Sequence, residues 1–159
     1  VVLYLASLTS LLAFVDEREN VYLLKVSPLP SSAIVLAKYV SSSVEATIAA
    51  APTLLLMAYV LQFEGIMALL FLTIPLILIF CAVGTMIGAF VPVFTNEPTS
   101  PPVALVFSFP VLNLAVGGVI AWLVLNLQGA ALLLSVPAIV SGIVLLSLVL
   151  ATMALEHYK

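Results

Sequence analysis

Charge in this chain is sorted rather than spread. Three of the four basic residues (Arg18, Lys25, Lys38) and three of the seven acids lie between Asp16 and Lys38, in the stretch DERENVYLLKVSPLPSSAIVLAK. Apolar runs flank it on both sides. An island of this kind lies in water, and short loops rich in Lys and Arg stay cytoplasmic. The island therefore fixes the orientation of the chain. It is also the one part with enough polar chemistry to grip a soluble partner.

Elsewhere the composition excludes a soluble domain. Charged residues make up 7% of the chain, hydrophobic residues 65%, and mean hydropathy is +1.39; a soluble domain carries about 25% charged residues. A chain this apolar belongs in a bilayer. The formal charge of −3 says little about partners, because the charges are sorted by location, and no nucleic acid partner is expected. The single cysteine, Cys81, lies inside an apolar run, so neither an internal disulfide nor metal-ligand spacing is possible. It reads as a small buried packing residue.

The spacing of apolar runs predicts an all-α polytopic bundle of about five spans. Val1 to Val15 is shorter than the ~20 residues a crossing needs. It reads as the end of a truncated span, which would make residues 1–159 one transmembrane domain from a longer permease-like protein. The second run, Ala33 to Leu61, carries Lys38, Ser42 and Glu45 on one helix face in its first third. That third is expected at the interface, with the crossing from about Val44. Glu45, just inside this boundary, is expected to pair structurally with a neighbour rather than to act as a functional site. Ile66 to about Val93 follows the turn at Gln62–Gly65. The stretch TNEPTSPP, Thr95 to Pro102, breaks the chain because three prolines cannot continue a helix. Val103 to Leu125 and Ala130 to Leu155 complete the set, separated by Asn126–Gly129.

Counting crossings tests this division. With the island inside, Gln62–Gly65 and Asn126–Gly129 fall outside, and TNEPTSPP and the C-terminal tail fall inside. All four Lys and Arg residues then lie on the inner side, and neither outer turn contains one. The expected location is the cell membrane, multi-pass, with residues 16–32 and the C-terminus cytoplasmic. His157, beside Glu156 and Lys159, reads as a solvated tail residue.

Within the island, Asp16 can cap a short helix, with Glu17 and Glu19 in its first turn and Lys25 in its last, each complementing the helix dipole. Pro28 and Pro30 stop it, and Ser31 or Ser32 can cap the next helix. Val21, Tyr22, Leu23 and Leu24 exceed what one membrane-facing stripe requires. Physics alone leaves two roles open: a helix docked in a protein groove, or one lying at the headgroups.

The run Glu17-Arg18-Glu19, Leu23-Leu24-Lys25, Ser27-Pro28 and the downstream Lys38 resembles the cytoplasmic loop of ABC-2 type exporter permeases. In that family an acidic start, an L-L core, a Ser-Pro stop and a later Lys form a coupling helix. Gly88, Phe90, Pro92 and Phe94, followed by an acidic proline-containing loop, are similar to some members. A common family pattern has glycine after the acidic cluster, where this chain has Asn20. The resemblance implies a permease subunit of an ATP-driven exporter. A separate ABC ATPase would dock on residues 16–32 through Glu17, Arg18, Leu23, Leu24 and Lys25, and a second permease copy or paralogue would complete the path. It implies no cofactor in this chain, with ATP held by the partner, and no catalysis; the chain has no G-x-x-x-x-G-K-[ST] loop to cradle phosphates.

Weaker signals remain. Gly84 and Gly88 form a GxxxG pattern that lets helices approach closely. Pro52, Pro75, Pro110 and Pro137 sit inside spans as kinks or hinges. Asn113, Pro110 and Gly117 mark a pathway or hinge, or helix glue. Two other classes compete with the permease subunit: a secondary transporter fragment, which usually needs ionisable groups near the midplane, and a non-transporting membrane scaffold. An intramembrane enzyme would need partnered acids, bases or nucleophiles at depth, and the serines and threonines here have no evident partners. Charge-poor spans suit a lipid-like or amphipathic cargo.

Overall fold

The computed structural model describes residues 10, 28–60, 66–90, 111, 114–120, 122, 126 and 130–157. It is almost entirely helical, with no strand among those residues. Three long helices dominate: α1 (Ser31–Val60), α2 (Ile66–Phe90) and α3 (Ala130–His157), and residues 114–120 are helical too. All three long helices contain a stretch apolar and long enough to cross a bilayer: Ser31–Val60, Thr73–Phe90 and Leu134–His157. The first apolar run, Val1 to Val15, apart from the helical and buried Ser10, lies outside the described residues. So do the island helix, Thr95–Pro102 and much of 103–125.

α1 starts where proline chemistry sets it. The Pro30 carbonyl accepts from the Ala33 N–H at 3.0 Å and the Ile34 N–H at 3.3 Å. The helix therefore begins at Ser31 itself, with the Pro30 carbonyl accepting its first bonds from just ahead of it. Ser31 and Ser32 stand inside the first turn rather than before it. The helix then runs unbroken to Val60, and its first third is part of the bundle, since Ser31, Ile34 and Val35 are buried. Pro52, Pro75 and Pro137 likewise sit inside continuous helices.

α2 is the centre. Of its apolar stretch 61% is buried, against 22% in α1 and 28% in α3. Three clusters show how the others pack around it. Ile34 and Val35 of α1 meet Ala89 of α2 and Ala151, Ala154 and Leu155 of α3. Farther along, Ala46 and Ala50 of α1 pack with Ile77 and Cys81 of α2. On the opposite face of α2, Leu76, Ile79, Phe80 and Val83 pack with Ile120 and with Val136 and Val140 of α3. These pairings make α1 antiparallel to α2, and α2 parallel to α3.

One consequence bears on topology. The start of α1, the end of α2 and the end of α3 share one end of the bundle. The chain segments joined there contain Arg18 and Lys25 before α1 and Lys159 after α3, and Lys38 lies two turns into α1. The opposite end carries exposed Tyr59 and Trp122, amphipathic rings of the kind that mark a membrane–water interface.

Candidate functional site

Along the middle of α1 the outward face is built of large apolar side chains and the inward face of small ones. Leu36, Val40, Val44, Ile48, Leu55 and Leu56 of α1 are exposed, whereas its buried positions are Ser31, Ile34, Val35, Ser42, Ser43, Ala46, Ala50 and Ala58. In lipid the tails are as apolar as leucine, so burial of leucine adds little. Close backbone approach through small residues holds helices together instead. The Ser42–Ala46–Ala50 series, spaced by four, is the α1 half of that seam.

Gly84 and Gly88 are both buried on α2, one and two turns past Cys81, which itself packs against α1. Their spacing places them on the helical stripe of Ile77 and Cys81, at i+7 and i+11 from Ile77. Gly117 is half-buried, and a Cβ added there would meet Phe80 Cζ at 3.8 Å, an ordinary contact; at Gly118 it would meet nothing within 4 Å. Neither glycine is required by crowding. Pro110 and Asn113 lie outside the described residues, as do Glu17, Arg18, Leu23, Leu24 and Lys25.

Hydroxyl groups largely return to their own helices. Ser43 Oγ donates to the Tyr39 carbonyl at 2.7 Å, Thr47 Oγ1 to the Ser43 carbonyl at 2.7 Å, and Thr85 Oγ1 to the Cys81 carbonyl at 2.7 Å. Thr152 Oγ1 does the same to Leu148 at 2.8 Å. Such back-bonding satisfies a hydroxyl without offering it to a neighbour. Asn126 Nδ2 donates to the Trp122 carbonyl at 2.7 Å, closing that helical turn. Ser41 Oγ donates to Glu45 Oε1 at 3.0 Å, so exposed Glu45 does find a neighbour within its own helix. Ser42 turns into the seam while Lys38 is only half-buried. Among the described residues no group of His, Cys, Asp and Glu is placed to hold a metal ion.

Cys81 is fully buried in the α1–α2 seam and is in no disulfide. A bilayer-permeant maleimide is expected to label it in the unfolded protein and to leave it unmodified in the native one. Ready labelling of folded protein would mean that the seam opens.

Sequence reasoning missed the small-residue face of α1. The signal was present as Ser42, Ala46 and Ala50 at fourfold spacing, but in a run so uniformly apolar it does not stand out as a glycine pair does. The order of α1, α2 and α3 and their approximate bounds, by contrast, followed from hydropathy.

A family model described as ABC-2 type transporter matches residues 1–111, well over half of the chain. No curated individual protein and no solved structure matches it.

Proposed function

The chain belongs to the ABC-2 type transporter family, and we propose that it is the membrane-spanning permease subunit of an ATP-driven exporter. Members of this family are membrane transport proteins, normally non-catalytic, that generally work with an ABC ATPase. In this reading the chain lines part of the translocation path. The Asp16–Lys25 helix seats a separate ATPase: Leu23 and Leu24 fill an apolar groove on the motor, while Glu17, Arg18 and Lys25 set register. ATP is held by that partner. A second permease copy or paralogue closes the path.

The family match carries this proposal, because it covers the whole island as well as α1 and α2. The packing adds support of a different kind. The segments that contain Arg18, Lys25 and Lys159 all join the bundle at one end, next to the α1 turns that carry Lys38. That asymmetry favours this end as the cytoplasmic one. A motor bound to the island would then sit beside the ends of α2 and α3 as well as the start of α1.

The test is co-purification of the full-length protein with candidate ABC ATPases from the same source. Wild type should retain the motor. Leu23→Asp/Leu24→Asp should lose it at least tenfold while still eluting as a folded protein, since two buried carboxylates in an apolar groove oppose docking. Retention of the motor by the double variant would reject the coupling role of these residues. A folded wild type that binds none of the candidates would shift weight to a secondary transporter or scaffold.

A further inference from the structure

Among the described residues Glu45 is the deepest charge, and it is exposed. Its depth follows from the packing. Ile34 and Val35 cluster with Ala89 and Leu155, beside Glu156, the first charge reached along α3. From Val35 to Glu45 is about 15 Å along the helix, half of the ~30 Å of hydrocarbon in a bilayer. The next residue, Ala46, packs with Ile77 and Cys81, in the middle of the Thr73–Phe90 stretch. Glu45 and Cys81 are themselves close enough to interact electrostatically. A glutamate side chain reaches neither membrane surface from there.

Other polar groups gather around it. Ser41, one turn nearer the Pro30 end, donates its hydroxyl to Glu45 Oε1 at 3.0 Å. Two turns the other way, Pro52 has no N–H to give to the Ile48 carbonyl. Ala49, between them, is small. Positions 41, 45, 49 and 52 are all exposed and fall within about 80° of arc on a helix of ~3.6 residues per turn. The patch thus holds a carboxylate, a hydroxyl and a backbone carbonyl without its helical donor, and no large apolar side chain. Lys38, half-buried and two turns before Glu45, continues it toward the Pro30 end. Round the helix, the exposed side chains are Val40, Val44 and Leu55.

Lipid tails offer nothing to a carboxylate or a bare carbonyl, and ionisable groups at this depth face protein interiors or water-filled cavities. We infer that the Ser41–Pro52 face of α1 lines a water-filled part of the path, and that the Glu45 carboxylate binds cations there, such as the ammonium group of a passing molecule. The inference rests on the reading of the chain as a permease that lines a path. It does not depend on the coupling helix, so a dry α1 face and a missing motor are separate results.

The experiment uses the full-length protein in phosphatidylcholine nanodiscs, with Cys81→Ala and any further thiol replaced. Single substitutions Ser41→Cys and Ala49→Cys probe the patch. Val40→Cys and Ala51→Cys, exposed on the other side of α1, are the references. The probes are a trimethylammonium-ethyl and a sulfonatoethyl methanethiosulfonate, each rate divided by that of the same reagent with a free thiol in water. Both attack the thiolate, which forms where water reaches. The two patch positions should react at least about tenfold faster than the references with either probe. At Ala49→Cys, the patch position farther from Lys38, the cationic probe should be favoured about fivefold, the scale of one modest ion pair. Adding Glu45→Gln should remove that preference and leave the patch reactive, whereas Glu45→Asp should keep both. Patch positions no faster than the references would overturn the hydrated face and leave Glu45 in a dry contact. Fast reaction without a preference for the cation, or with one that survives Glu45→Gln, would overturn the cation site.

Discussion

Ala46→Leu lowers the stability of the bundle by about 2–3 kcal/mol, the usual cost of forcing extra methylenes into a well-packed contact. Ala46 is 2% exposed and Ala50 1%, and both face Ile77 and Cys81 of α2. Around them α1 presents Ser42 and Ser43, so the buried α1 positions of this contact carry side chains of only one or two heavy atoms. A leucine there must push α1 away from α2 or take a strained rotamer. Either outcome forfeits the dispersion contacts that hold helices together in a medium as apolar as themselves. The same change one helix face away, for example Ala51→Leu at an exposed position, only adds hydrocarbon toward lipid. The protein supplies its own reporter. Cys81 is buried in this seam and is the one thiol of the chain, so a thiol-reactive dye followed during heating reads the opening of the contact. An Ala46→Leu midpoint equal to that of wild type would show that α1 and α2 do not pack closely there.

Phe80→Ala is expected to cost a further sizeable amount by the opposite mechanism. Phe80 is 5% exposed and sits where α2, the 114–120 helix and α3 converge, among Ile120, Val136 and Val140. Truncating a buried phenylalanine in a soluble core costs about 3–5 kcal/mol. In a bilayer the unfolded reference also has hydrocarbon around it, so part of the transfer contribution is lost and the cavity contribution remains. The expected loss is about 2–3 kcal/mol. Leu55→Ala is the control: Leu55 is 71% exposed, and its truncation should stay within ~0.5 kcal/mol of wild type. The same thiol assay measures both. Equal effects of the two substitutions would mean that the interior and the lipid face have been assigned the wrong way round.

Hydropathy located the helices because it measures the one property a bilayer demands, a long uncharged run. Ile66 and Ala130 begin α2 and α3 where the turns predicted them. What hydropathy does not encode is which side of a span faces protein. In water an inward face is apolar and an outward face polar, so periodicity betrays the core; α1, α2 and α3 have no such polar stripe. The usable signal was size. Leu55, Leu56 and Tyr59 point out while Ser42, Ala46 and Ala50 point in, and a reading keyed to a glycine pair passes over such a serine–alanine series. Start chemistry also differed at α1, where serines suggested a cap and the Pro30 carbonyl accepts the first helical bonds one residue earlier. The meeting of α1 with α3 was illegible for a simpler reason. The two helices lie about a hundred residues apart in the chain, and nothing in either span names the other.

The three buried clusters also set which helix depends on which. Among the described residues, α1 and α3 share a cluster only beside Ala89; elsewhere each is clustered with α2 and not with the other. Along most of their length the two outer helices therefore reach each other only through α2.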